Sequence, residues 1–205
     1  EDPELEADVF EELDDNKQAR LLHARTDEEV AGLLARMRAD DAADAVMDLA
    51  QERRQVVIDL LPEVQKTKDL TLLGYHEATA GGLMGPEFVA LSEEKTIGDA
   101  LLAVRSATTH QPEALTMIHI IRDDGILAGT LMLVRALQSA PETLLRDAAD
   151  HHLVVASPED DIITVTTRMA DFNLLSLPVV DSDNRMLGIV TVDDALEAAI
   201  PRDWV

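Results

Sequence analysis

The chain has no cysteine, and its 205 residues include only three Phe, one Tyr and one Trp. Without thiols it forms no disulfide, builds no thiolate metal site and runs no cysteine-based catalysis. So few aromatics leave no stacking platform for single-stranded nucleic acid. Positive charge is scarce as well: 17 Lys plus Arg stand against 41 Asp plus Glu, a formal net charge of −24. That balance repels phosphate backbones and anionic lipid surfaces, so nucleic acid is excluded and the expected partners are cations or basic surfaces. Apolar runs are only a few residues long, far short of the roughly 20 that span a bilayer, and no direct membrane insertion is expected. The chain opens on Glu1-Asp2-Pro3 rather than on Met or a signal peptide, which suggests a trimmed chain with more sequence on either side, and its acidic, cysteine-free composition fits an intracellular protein.

Catalytic motifs are missing too. The six histidines, His23, His76, His110, His119, His151 and His152, show no metal-ligand spacing. There is no Ser-His-Asp arrangement, phosphate loop or zinc motif, and an enzyme is not expected.

What is present is repetition. From Asp2 the first sixty residues divide into units of twelve, with apolar pairs at Val9-Phe10, Leu21-Leu22, Leu33-Leu34, Ala45-Val46 and Val57-Ile58. The last position of each unit is apolar except at Arg25, and helix-capping residues such as Asp14, Thr26 and Asp27 open units. Each unit reads as one short helix and its turn, and helices this short bury their stripes only by stacking, which predicts a superhelical array. The alternative is one or two long amphipathic helices.

A second repeat begins near Phe88. "FVALSEEKTIGDALLAVRS" aligns with "LVVASPEDDIITVTTRMAD", pairing Ser92 with Ser157 and Ile97 with Ile162. "IHIIRDDGILAGTLMLVRAL" aligns with "LPVVDSDNRMLGIVTVDDAL", pairing Gly129 with Gly188. Each copy reads as strand, helix, strand, polar turn, strand, helix. The whole is α + α/β: an N-terminal helical array over 1–80, then tandem α/β modules over 81–147 and 148–205. Between them "HEATAGGLMGPEF" places Gly81, Gly82, Gly85 and Pro86 at the change of period, as a hinge between the halves or a fixed tight turn.

The segment "LPVVDSDNRMLGIVTVDDAL" resembles the second half of a CBS domain, a fold that comes in pairs. Twelve-residue helical repeats, then "EATAGGLM" with Glu77, then a CBS pair together resemble the cytosolic region of the MgtE family of magnesium channels. That resemblance implies a Mg²⁺-sensing cytoplasmic regulatory region at the cytosolic membrane face, a homodimer formed through the CBS domains, and a membrane pore domain outside this chain. The family continues into a connecting helix and membrane spans, whereas this sequence stops at "EAAIPRDWV": the pore is absent from the chain, or the protein is a pore-less relative.

Two ligand chemistries are written in side chains. Thr191 and Asp194 form a T-x-x-D at a strand-to-helix junction, where a hydroxyl and a carboxylate can bind a ribose and the helix N-terminus favours phosphate. By resemblance, Leu177 and Pro178 line the base pocket for ATP or another adenosine nucleotide. Equally, Thr191 caps the helix and Asp194 complements its dipole. Met132 and Arg135 hold the matching positions of the first copy and cannot make ribose contacts, so at most one such site is expected.

The second chemistry is Mg²⁺. Asp40, Asp44 and Asp48 share a helix face at i, i+4, i+8, and Asp193, Asp194 and Glu197 form another group. Carboxylates about 4 Å apart repel by about 4 kcal/mol at an effective dielectric near 20, a cost that a divalent cation between them reverses. Mg²⁺ keeps most of its waters and needs only one or two carboxylates, so loose clusters suit it. The candidate metal residues are therefore Asp40, Asp44, Asp48, Asp193 and Glu197, set against the plain alternative of a solvated charged face.

Overall fold

A computed structural model describes residues 3–11, 13–62, 75, 76, 78–122 and 124–200. Glu77 and Asp123 lie outside the described residues, as do the side chain of Asp40 and the terminal 201–205. The chain divides into two compact units, Glu1–Glu77 and Ala78–Val205.

In the first unit each twelve-residue repeat is one helix: α1 (Pro3–Glu11), α2 (Asp15–Ala24), α3 (Asp27–Leu34), α4 (Ala39–Asp48) and α5 (Gln51–Leu60). The period is set by the caps. Asp14, Thr26, Arg38 and Ala50, each opening its unit, are the N-caps of α2 to α5. Asp14 accepts from the Lys17 amide. Thr26 and Glu29 close a full capping box, satisfying two amides that a helix start otherwise leaves unpaired. Arg25, Leu49 and Leu61, each closing its unit, are extended and end the helix.

Helices therefore cannot merge into one rod, and each packs on neighbours: α3 on α1 and α5, α2 on α4. The predicted stripe forms the core of Phe10, Leu22, Leu33, Leu34, Ala45, Val46, Val57 and Ile58, with Met37, Leu49 and Leu61 from the closing positions. Val9 and Leu21, the first residues of the first two pairs, are instead exposed. Arg25, the one polar closing residue, ties α2 to α1 through Glu6 at 2.7 Å.

The second unit opens with the short helix α6 (Ala80–Leu83), followed by β1 (Val89–Ser92), α7 (Ile97–Ser106), β2 (Met117–Ile121), β3 (Leu127–Met132), α8 (Leu133–Leu137) and α9 (Leu145–Ala148). Then come α10 (Ile162–Phe172), β4 (Ser176–Val180), β5 (Met186–Thr191) and α11 (Val192–Ala199). β1 runs parallel to β2, and β2 antiparallel to β3. β4 and β5 are antiparallel, and the counterpart of β1 is a single parallel bridge, Ala156 to Val179. Both hairpins carry a bulge at the same place, after Ile120 and after Val179. Val89, Ile97, Ala100, Ile118, Ile120, Leu131, Ala136 and Leu145 fill the core under the first sheet.

The two copies obey a local two-fold. At its centre Ile126 bridges Arg185, the Leu127 amide donates to Asn184 O at 2.9 Å, and the Met186 amide donates to Gly125 O at 3.3 Å. The same symmetry governs the lead segments. Leu145 and Arg146, ahead of the second module, donate amides to Lys95 and Glu93 of the first; Ala80 and Gly81 donate to Asp160 and Pro158 of the second. Asp150 pairs with Thr130 on β3 as Gly85 pairs with Ile189 on β5.

This corrects the hinge expectation for "TAGGLM". Gly81 lies inside α6 and is buried, and among the described glycines only Gly125 has a positive φ, of 82°. The segment is a short helix rather than a tight turn, fastened by backbone hydrogen bonds to the second module.

Candidate functional site

Thr191 closes β5 and is the N-cap of α11. It is 3% exposed, its hydroxyl donates to Asp194 Oδ2, and it makes no side-chain bond to the helix amides. The T-x-x-D pair is thus preassembled, one turn of helix bringing the carboxylate back onto the hydroxyl. Asp194 is half-buried in the first turn of α11, where the helix dipole favours its charge.

Across the ladder Ser176 faces Thr191, Leu177 faces Val190 and Pro178 faces Ile189. Because side chains alternate along a strand, Ser176, Pro178 and Thr191 share one face and Leu177 takes the other. Leu177 is fully buried. Of the four nucleotide candidates, Thr191, Asp194 and Pro178 are therefore brought to one side and Leu177 is not. Ser176, which sequence reasoning did not single out, joins that side: its Oγ is buried and finds no hydrogen-bond partner among the described residues. Only the register could have revealed it, since a lone serine in a strand has no motif.

In the first module Met132 is 57% exposed and has no hydroxyl to offer. His119 stands where Pro178 stands in the second. It is fully buried, with Nδ1 3.3 Å from Val89 O and its ring edge-on to Phe88 at 5.7 Å. Burial holds its pKa at about 4, well below the ordinary value of 6.5, outweighing the hydrogen bond to the Val89 carbonyl, which acts in the opposite direction. His119 is neutral at physiological pH.

Within each unit, the described acidic candidates lie on exposed helix faces. Asp44 and Asp48 are exposed on α4, and Asp193 and Glu197 are exposed on α11. Among the described residues no three His, Asp or Glu side chains come close enough to hold a metal. A polar cavity of about 290 Å³ lies on the first module, lined by Ser92, Glu93, Glu94, Arg122 and Asp124. Glu94 in its wall pairs with Arg146 at 2.6 Å. No helix among the described residues is long and apolar enough to cross a membrane.

Fold and sequence place this chain in a defined class: a helical intracellular N domain joined to a CBS pair. Residues 2–78 match the MgtE intracellular N domain and residues 145–200 the CBS domain. The chain is a homologue of the cytosolic region of the MgtE magnesium transporters. It is 35% identical over 161 residues to the magnesium transporter MgtE of Thermus thermophilus, spanning 77% of this chain and 36% of that protein. The crystal structure of the cytosolic domain of the Mg²⁺ channel MgtE in complex with ATP is 32% identical, with a TM-score of 0.86 over 93% of this chain and 78% of that one. The soluble part of a magnesium transporter superposes with a TM-score of 0.89 at 25% identity, over 96% of this chain and 77% of that one. The chain spans about a third of the length of the three curated MgtE transporters it matches, from 28% to 36%.

Proposed function

We propose that this chain is the Mg²⁺-sensing, non-catalytic regulatory region of an MgtE-type magnesium transporter, acting at the cytosolic face of a membrane. What carries the proposal is the order of parts, helical N domain then CBS pair, aligned along 93% of the chain with an MgtE cytosolic domain. A net charge of −24 supplies the drive. Acidic surfaces on the helical unit and the CBS pair repel, and Mg²⁺ bound between carboxylates favours a closed arrangement. Asp40, Asp44, Asp48, Asp193 and Glu197 are the proposed ligands. Exposure of those described suits ligands assembled between surfaces, each supplying one or two oxygens to a hydrated ion.

The test is a melting series in MgCl₂ against NaCl of equal ionic strength. Specific binding stabilises by RT ln(1 + [Mg²⁺]/Kd), about 1.4 kcal/mol per site at roughly tenfold Kd, whereas sodium only screens. Equal shifts in both salts end the sensor proposal. Asn variants of the α4 set and of the α11 set then locate the dominant ligands.

A homodimer through the CBS pair forms part of the same proposal. Val134 and Leu137 on α8 and Leu196 on α11 are more than half exposed, and Leu137 and Leu196 hold matching positions in the two modules. A monomer in sedimentation at high concentration removes it.

A second proposal, that an adenosine nucleotide binds the CBS pair and controls another partner, is favoured by one observation: the preassembled Thr191–Asp194 pair. The related MgtE cytosolic domain in complex with ATP supports the ligand class.

A further inference from the structure

The nucleotide candidates sit on a strand that is not held by its own module alone. Gly85 and Ile189 exchange both backbone hydrogen bonds, at 2.8 Å from the Gly85 amide and 3.0 Å from the Ile189 amide. Ile189 is two residues before Thr191 and on the same face of β5. Met84, fully buried, lies over Gly188, where a Cβ would come within 3.0 Å of its Cγ and 2.8 Å of Gly85 O. At the other end of the segment the Ala80 and Gly81 amides donate to Asp160 and Pro158 at 2.8 and 2.9 Å, and Thr79 bridges Asp161, the N-cap of α10. Residues 79–85 thus span from the start of α10 to the strand that ends in Thr191.

We propose that Thr79–Gly85 is a positioning strap for the Thr191–Asp194 site, so that a ligand on that site and the seating of the strap reinforce each other. The inference rests on the proposal that this site takes an adenosine nucleotide. A ligand that needs β5 in place stabilises whatever holds β5 in place, and the coupling is reciprocal. The strap is also the covalent link to the helical unit, which ends at Glu77. The first module supplies an internal control. Residues 144–150 are fastened to it in the same way, through Leu145 to Lys95 and Asp150 to Thr130, but β3 ends in Met132.

Hydrogen exchange on the wild-type chain, with and without saturating ATP or AMP, tests the coupling. Local opening of the strap sets the exchange of the Ala80, Gly81 and Gly85 amides. Nucleotide is expected to slow these several-fold and to leave the Leu145, Arg146 and Asp150 amides unchanged. A paired substitution measures the reverse direction by calorimetry. Gly188→Ala lifts the strap and should weaken nucleotide affinity about tenfold, about 1.4 kcal/mol. Gly129→Ala crowds Ala149 Cβ at 2.7 Å and Asp150 O at 3.2 Å, and should leave affinity within twofold. Nucleotide heat without added protection of the strap overturns the inference and leaves the site standing, as does equal loss of affinity in both variants. No nucleotide heat from the wild type removes site and strap together. Should Gly188→Ala fail to fold, the wild-type exchange experiment decides.

Discussion

Gly129 and Gly188 hold the same place in the two modules, and each is bare because a segment leading into the other module crosses it. A Cβ would meet Ala149 Cβ at 2.7 Å in the first and Gly85 O at 2.8 Å in the second. Neither glycine has a positive φ, so closeness, not backbone angle, explains both.

Alanine at either position should overpack the crossing and lower stability by about 1–3 kcal/mol, read as a drop in denaturation midpoint at constant m-value. A change under about 0.5 kcal/mol would show that the crossing segments yield.

His119 makes stability depend on pH. Its folded pKa of about 4 lies below the unfolded 6.5, so between these values the unfolded chain binds the extra proton and stability falls as pH falls. The full effect is roughly 3 kcal/mol, present above about pH 6.5 and lost toward pH 4. His119→Leu should flatten this part of the profile, and urea titrations of both proteins across that range measure the difference. Parallel profiles would mean that His119 stays reachable by water.

Arg53 staples the helical unit. Its Nε reaches Asp27 Oδ1 at 2.6 Å, Nη1 reaches Leu22 O at 3.0 Å and Nη2 reaches Arg25 O at 2.8 Å. One guanidinium from α5 thereby closes the end of α2 and the start of α3. Arg53→Ala should cost about 2–3 kcal/mol, and Lys should recover little because it lacks the planar fork. The MgtE-type N domain's unfolding transition is the readout, with full rescue by Lys the contrary result.

Thr191→Ala or Asp194→Ala should weaken ATP or AMP binding by roughly 1–3 kcal/mol if both contact the ribose. Met132→Ala should leave it unchanged. Calorimetry decides, and a variant pair indistinguishable from wild type would return Thr191 and Asp194 to a purely structural role.

The helical array was legible because cap chemistry and apolar pairs recur together: Asp14 and Thr26 mark the same boundaries that Phe10, Leu22 and Leu34 bury. The paired modules were legible from strand alternation and from Gly129 matching Gly188. Three things were not. Val9 and Leu21 look like their repeat partners but lie at the exposed edge of the stripe, which depends on packing. Ser176 entered through ladder register, a property of two strands. The docking of "TAGGLM" onto the second module was hidden because Gly81 contacts Pro158, far along the chain, and glycines announce freedom or crowding with the same letter.

The strap also imposes an order in time. Thr79–Gly85 is synthesised roughly a hundred residues before Ile189, its partner on β5, and at about 5–20 residues per second that is a wait of roughly 5 to 20 s. Through that interval Met84 has no pocket, for the strand that covers it does not yet exist. The first part of the CBS pair to be made is thus among the last to be buried, and a nascent chain carries an unsheltered "GGLM" until its second module is complete.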